Sequence, residues 1–339
     1  MMQFMPVLAM GFVAAYGFTP LTKRLALHLD IVDRPNQRKI HREPIPLLGG
    51  LAIYLAFVLA VLLFTPADYL LEFGAVVAGS LWLALVGYYD DRYGMQPLTK
   101  FSAQIIAGAV LILAGIQIRL FNLPLLDYAL TIFWVVGITN AANLMDNMDG
   151  LLAGIATIAA GAFFVLAATQ ELILVASLSA ALCGATLGFL RYNFNPASTF
   201  MGDTGSLVLG FILAVIGVKL DFRAQVPQVT WIIPLLVLAI PIFDTTLVTV
   251  TRLREGRSPF QGGKDHTSHR IASMGFSHRR TVVILYGIAV ILGGLAFILS
   301  QASVNLALAL IVGIWIFAVT SFMMLESQYN KHSKGIRKS

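Results

Sequence analysis

Apolar runs alternate with short polar breaks along almost the whole chain, and about eleven of them are long enough to be read as membrane-crossing helices. A spanning helix needs about 20 mostly apolar residues, and sometimes as few as 17. The runs lie near residues 4–21, 49–64, 73–89, 102–118, 124–141, 151–168, 172–190, 205–219, 231–250, 281–299 and 303–324. The stretch from 124 to 168 is divided into two spans at the polar segment around Asn143 to Gly150. The pattern predicts an all-α, polytopic membrane protein of about eleven transmembrane helices. The polar gaps reach only about 30 residues, and no low-complexity linker or internal repeat stands out, so residues 1–339 read as one membrane-embedded domain. Gly184 and Gly188, at helical spacing, suit close helix packing in lipid.

Composition agrees with this pattern. Hydrophobic residues make up 58% of the chain, charged residues only 12%, and the mean hydropathy is +0.81. A soluble domain would carry roughly 25% charged residues. With the amino terminus placed outside, Lys and Arg divide 20 to 3 between the alternate sides of the membrane, which puts the richer side and the carboxy terminus in the cytoplasm. The first run has no basic leader, since Lys23 and Arg24 follow it, so it is expected to be retained rather than cleaved. The lone Cys183 lies within an apolar run and forms no internal disulfide. A net charge of +6 and a pI near 9.5 reflect the residues that topology places inside, and no nucleic-acid partner is expected. The expected location is the inner (plasma) membrane.

The unusual chemistry gathers on that cytoplasmic side. Asp90 and Asp91 stand next to each other at the end of one run, and Asp146 and Asp149 sit in a loop, Asn140 to Gly150, that has no Lys or Arg. Ionisable groups at a membrane edge are a functional hypothesis by default, and here a metal cation is the simplest balance. Neighbours on a helix point about 100° apart, so Asp90 and Asp91 need not serve one ligand. The plain alternative is a solvated helix end, with Asp91 and Arg92 capping the turn. Asp146 and Asp149, three apart and extended by Asn143, would share one face if the next span begins early. Magnesium takes one or two carboxylates completed by water and phosphates. The alternative is an amino-terminal cap by Asp146 or Asn147.

Asn195 to Ser206 reads as a turn leading into a helix near Gly205, whose free N–H groups suit an anion. Asp203 there offers another metal oxygen, and Phe200 a flat face for a base. Gly202 and Gly205 also fit a simple tight turn. His266, His269 and Arg270 form a compact donor set for phosphate oxygens. Zinc is disfavoured, because two histidines without cysteine make an incomplete site. Lys100 beside the Asp90 loop is either a phosphate ligand or a snorkelling anchor, and Asp244 lies near the cytoplasmic end of its run.

Five segments carry a resemblance: Asp33 to Gly50, Asp90–Asp91, Asn143 to Gly150, Phe200 to Ser206, and the histidine loop. Together they resemble the WecA-like polyprenyl-phosphate N-acetylhexosamine-1-phosphate transferases, a family that also includes phospho-MurNAc-pentapeptide translocase. The resemblance covers nearly the whole chain. It implies transfer of a sugar 1-phosphate from a UDP-N-acetylhexosamine to a polyprenyl phosphate, with release of UMP and a need for magnesium, manganese being the alternative ion. By the same resemblance Asp149 and Asp203 would hold the metal, Asp90 and Asp91 would orient or deprotonate the lipid phosphate, and Asp146 would be catalytic. Phe200 would stack on uracil, Lys100 would touch the phosphates with Asn143 beside them, and His266, His269 and Arg270 would bind phosphate and sugar.

A phosphomonoester has a second pKa near 6, so the lipid nucleophile is already mostly ionised and orientation is favoured over proton abstraction for Asp90. The family often carries adjacent histidines in its loop, whereas this chain has His266-Thr-Ser-His269. That departure favours a simple UDP-N-acetylhexosamine, most often UDP-GlcNAc, over the MurNAc-pentapeptide donor. A cation-coupled transporter and a sensor are the competing readings. A transporter should place its acids near mid-bilayer, and a sensor should carry an output domain. A homodimer is left open.

Overall fold

The computed structural model describes residues 1–35, 43–64, 66–220 and 227–336. Residues 36–42, with Arg38, Lys39, His41 and Arg42 of the Asp33 to Gly50 segment, lie outside the described residues, as do Arg223, Arg337 and Lys338. The chain folds as two compact units, residues 1–221 and 222–339.

The first unit contains α1 (Met5–His28), α2 (Gly49–Phe64), α3 (Leu70–Tyr93), α4 (Pro97–Leu113), α5 (Pro124–Met145), α6 (Leu151–Thr169), α7 (Ile173–Asn193) and α8 (Gly202–Lys219). Pro97 and Pro124 open α4 and α5, where the fixed φ suits a first turn and the missing N–H costs nothing. Two two-residue strands, β1 (Val32–Asp33) and β2 (Ile45–Pro46), pair antiparallel before α2. The division of 124–168 holds, since α5 and α6 are separate helices.

α8 is the axis of this unit. Leu207, Val208, Leu209, Phe211 and Ile212 are fully buried, and α2, α3, α5 and α6 pack around the helix. Apolar residues on every side of α8 are what such a position requires. Small residues set the packing distances: a Cβ on Gly184 or Gly188 of α7 would strike the backbone of α1 at Leu8 or Phe12. Close backbone approach of this kind is how helices associate where lipid removes most of the hydrophobic drive.

The second unit contains α9 (Pro227–Val237), α10 (Ala239–Arg254), α11 (Thr267–Ser273), α12 (His278–Gln301) and α13 (Val304–Ile336). α9 and α10 share the 231–250 run but meet at a bend of 74°. Pro241 lies in the first turn of α10, and a proline both removes a backbone bond to the carbonyl four residues back, here Val237, and crowds that preceding turn. Val312, Trp315, Ile316 and Phe317 of α13 are exposed, as expected of a helix bathed in lipid.

Each of the eleven apolar runs is thus occupied by helix. Among the described residues eight helices are long and apolar enough to cross a membrane, and the bent α9–α10 pair makes a ninth. α2 and α4 are apolar but have only 16 and 17 residues. At about 1.5 Å per residue they reach about 24–26 Å, short of a hydrocarbon core of about 30 Å. The chain is an all-α polytopic membrane protein.

Candidate active site

Three helix ends bring the acidic residues of the first unit together. Asp90 and Asp91 stand in the last turn of α3, which Gly94 closes with a φ of +73°, a value that suits glycine. Lys100 follows in the first turn of α4. Its Nζ lies against Asp90 Oδ2 and donates to Asp203 Oδ2 at 2.7 Å. Asp203 Oδ1 accepts from Asn143 Nδ2 at 2.5 Å, and that amide also reaches Ser206 Oγ at 2.8 Å. Lys100 therefore bridges carboxylates from α3 and α8, with 16% of its side chain exposed. An anchor that only snorkels would point its ammonium to water; this one is held between two acids.

α8 begins at Gly202, earlier than the predicted start near Gly205, and the anion at its terminus is Asp91. Asp91 Oδ1 accepts from Asp203 N at 2.8 Å, while Oδ2 accepts from Thr204 N at 3.1 Å and Thr204 Oγ1 at 2.9 Å. The first N–H groups of a helix have no partner within it, and a carboxylate there also meets the positive end of the dipole. Asp91 is thus an N-cap supplied by a different helix. Contact is close enough to dictate glycine: Gly202 has a φ of +66° and a Cβ on it would run into Asp91, while a Cβ on Gly87 would strike the backbone at Asp203 and Thr204. The adjacent acids divide their work as their angular offset requires, Asp90 toward Lys100 and Asp91 toward α8.

Asp146 and Asp149 lie on no helix. α5 ends at Met145 and α6 starts at Leu151 after Gly150, whose φ is +77°, so both acids sit in the connecting turn and neither caps α6. Asp149 Oδ2 accepts from Asn195 Nδ2 and from Ala197 N, both at 3.0 Å. Burial pushes the Asp146 carboxyl up to about 8, and the charges of Asp203, Asp91 and Asp149 push the same way. The residue as a whole keeps some surface exposure, so the enclosure is of the carboxyl itself.

The segment before α8 is pinned from two sides. Phe200 N donates to Pro46 O at 2.8 Å, Gly49 N to Phe200 O at 2.9 Å, and Gly50 N to Met201 O at 3.0 Å. Asn193 Nδ2 donates to Thr199 O at 3.0 Å, and its Oδ1 accepts from Gly150 N at 3.2 Å. The described part of the Asp33 to Gly50 segment therefore holds Phe200, which is half-buried, in place.

The oxygen donors of this unit are of the chemical type a hard divalent cation takes. They are carboxylate oxygens, of which Asp146 is raised by burial first and by its acidic neighbours second, and Lys100 is the cation held between Asp90 and Asp203. Among the described residues no three His, Cys, Asp or Glu side chains converge tightly enough to hold an ion by themselves. A magnesium site with one or two protein carboxylates, completed by water and substrate phosphates, has that character.

In the second unit the histidine loop is built on buried ion pairs. Asp244 of α10 shares a hydrogen bond with His266 Nδ1 at 2.8 Å and accepts from Thr267 N at 2.6 Å. Arg252 forks onto Asp265, with Nε 2.9 Å and Nη2 2.8 Å from the two oxygens, and Nη1 donates to Pro259 O at 2.6 Å. Burial would raise Asp265, but Arg252 and Arg257 hold it down at about 2. Arg270 is buried and donates to Asp265 O at 2.7 Å, Glu326 at 2.7 Å, Leu325 O at 3.3 Å and Thr251 Oγ1 at 2.6 Å, with Tyr329 under its guanidinium. His269 keeps part of its surface open. Burial, with the His266, His278 and Lys264 charges, lowers His269 to about 4, so its ring is neutral near pH 7.

The structure brings together Asp90, Lys100, Asn143 and Asp203, each singled out separately in the sequence, and it places His266 and Asp244, also named there, in one hydrogen bond. Sequence reading missed Thr204 and Ser206, which follow Asp203 as ordinary helix residues, and the Arg252–Asp265 fork, of which Arg252 counted only among the cytoplasmic Lys and Arg.

Residues 73–221 match the family model described as glycosyl transferase family 4. Over 311 residues the chain is 36% identical to a probable undecaprenyl-phosphate N-acetylglucosaminyl 1-phosphate transferase of Bacillus subtilis, covering 88% of this chain and 86% of the relative. It is 35% identical to the decaprenyl-phosphate N-acetylglucosaminephosphotransferase of Mycolicibacterium smegmatis, covering 81% and 76%. It is 28% identical to the undecaprenyl-phosphate alpha-N-acetylglucosaminyl 1-phosphate transferase of Escherichia coli K12, covering 80% and 78%.

Proposed function

Because the chain belongs to the WecA-like family of polyprenyl-phosphate N-acetylglucosamine-1-phosphate transferases, we propose that it transfers GlcNAc 1-phosphate from UDP-GlcNAc to undecaprenyl phosphate at the cytoplasmic face of the plasma membrane. An oxygen of the lipid phosphate attacks the sugar-bearing phosphorus, the bond to the bridging oxygen breaks, and UMP leaves. The observation that carries this reading is the Lys100 bridge between Asp90 and Asp203, beside the α8 terminus capped by Asp91. It joins cation and anion where two anionic substrates must meet.

The roles follow from charge and position. The lipid phosphate is mostly ionised near pH 7, so the obstacle is repulsion between reactants rather than a missing base. Asp90 orients, and Lys100 moves between its acids and the phosphates. Asp203 and Asp149 would hold magnesium, which would supply charge neutralisation on the diphosphate when bound. Asp146 lies within reach of the charges of Asp203, Asp91 and Asp149. Asp91 holds α8 so that Asp203 and Asn143 keep their register. Phe200 offers its ring to the uracil. Of the histidine loop, His266 and His269 meet phosphate and sugar, while Arg270, committed to Glu326, Thr251 and the Asp265 carbonyl, keeps the loop in shape.

Eleven spans, with the amino terminus outside, are part of the same reading, supported by the 20 to 3 division of Lys and Arg. So is entry into a cell-envelope glycan pathway. The transporter alternative gains nothing from the relatives. Purified protein given undecaprenyl phosphate, magnesium and a panel of UDP-sugars should release UMP with UDP-GlcNAc. No release from any donor would overturn the proposal, and release only with UDP-MurNAc-pentapeptide would overturn the choice of sugar.

A further inference from the structure

Asp244 is 2% exposed, and both of its oxygens are engaged, one with Thr267 N at 2.6 Å and one with His266 Nδ1 at 2.8 Å. A carboxylate only accepts, so Nδ1 must carry the proton. The opposite nitrogen, Nε2, lies 3.5 Å from Arg252 Nη2. Arg252 cannot turn away, because Asp265 and Pro259 O hold its other donors. His266 is therefore fixed in rotation by α10 on one side and by the Arg252–Asp265 fork on the other.

We propose that Asp244 is a positioning residue for His266: it keeps the proton on Nδ1 and aims Nε2 at the donor, so that the ring meets a phosphate oxygen as an imidazolium protonated on both nitrogens. This rests on the reading that His266 touches the donor diphosphate. A carboxylate behind the ring orients it and stabilises the imidazolium that would donate from Nε2 to an anionic oxygen. The arrangement also accounts for an acid placed within an apolar run. The backbone N–H of α11 and the imidazole are gripped together by one carboxylate, so the ring is held to the loop's own helix.

Asp244→Asn separates these functions. Asparagine keeps an oxygen for Thr267 N but turns its NH2 toward Nδ1, which drives the ring proton to Nε2, against Arg252 Nη2. In full-length protein labelled with 15N-histidine, with His266→Ala used for assignment, wild type should show His266 protonated at Nδ1. Asp244→Asn should move that proton to Nε2, and Asp244→Glu, which keeps the carboxylate, should leave it. In UMP-release assays Asp244→Asn should lower kcat roughly 10- to 100-fold with KM for the donor changing less. In a His266→Ala background the same substitution should cost less than about twofold, because the residues act as a unit.

A wild-type spectrum with Nδ1 unprotonated overturns the proposal, even if no variant folds. So do additive losses in the double variant. If wild type transfers nothing, the proposed function fails, and the wild-type spectrum still decides whether Asp244 sets the tautomer.

Discussion

Replacing Asp91 by asparagine tests whether this acid works on α8 or on substrate. Its carboxylate accepts from Asp203 N, Thr204 N and Thr204 Oγ1 at 2.8 to 3.1 Å. Hydrogen bonds to a charged group contribute about 1.5–3 kcal/mol each, and an anion at a helix N-terminus adds about 0.3–1 kcal/mol. Asparagine retains one accepting oxygen and turns an NH2 toward the remaining donors, so at least one charge-assisted bond and the dipole interaction are lost. Partial exposure of the residue brings the expected loss to about 3 kcal/mol, or about 6 °C of unfolding midpoint at roughly 2 °C per kcal/mol. Turnover should fall with it, because Asp203 is anchored through the same turn. Thr204→Val removes the hydroxyl bond alone and should cost about 1 kcal/mol, with most turnover retained. Detergent-solubilised protein followed by tryptophan fluorescence, alongside UMP release, gives both quantities. An Asp91→Asn protein that unfolds within about 1 °C of wild type yet loses turnover about 1,000-fold would refute the capping role and return Asp91 to direct contact with substrate.

Other outcomes follow from the same geometry. Lys100→Met leaves Asp90 and Asp203 facing each other without their cation, and should cut kcat/KM at least about 100-fold, about 2.7 kcal/mol of transition-state stabilisation; retention of activity above a tenth of wild type would contradict the bridge. His269 is depressed from 6.5 to about 4 in the fold. The fold therefore favours the neutral ring, so its stabilisation is complete above pH 6.5 and is lost as pH falls toward 4. The unfolding midpoint of wild type should drop more steeply across that window than that of His269→Gln, and parallel profiles would refute the assignment. Arg270→Lys cannot reproduce the fork onto Glu326, Leu325 O and Thr251, and should lower stability by about 3 kcal/mol; an unchanged midpoint would show that Arg270 is not the loop's brace.

Much of the fold was legible because a bilayer permits few solutions: backbone groups must be satisfied within each span, so long apolar runs must be helices. All eleven runs became helix, including the two on either side of Asp146 and Asp149. Periodicity could not show that α2 and α4 are short or that α9 and α10 bend by 74°, since packing rather than hydropathy sets those features. In the site, residue chemistry pointed to Asp90, Lys100 and Asp203, but partners from distant helices decided what each does. Asp91 read as an acid for a ligand or for its own turn; the cap it provides belongs to α8, 112 positions away. Asp146 and Asp149 read as loop acids that would share a helix face if the next span began early; α6 begins only at Leu151, after Gly150 in a left-handed conformation, and leaves both in the turn. Arg270 read as a phosphate ligand because its partners Glu326 and Thr251 are remote in sequence.

The central claim is that a sugar phosphate, rather than a sugar, is transferred to the lipid. UDP-GlcNAc labelled with 32P in its sugar-linked phosphate, incubated with undecaprenyl phosphate, magnesium and purified protein, follows that atom directly. The label should move into an organic-soluble lipid diphosphate in step with release of unlabelled UMP. Label left in water-soluble UDP while the lipid gains only the sugar would contradict the account.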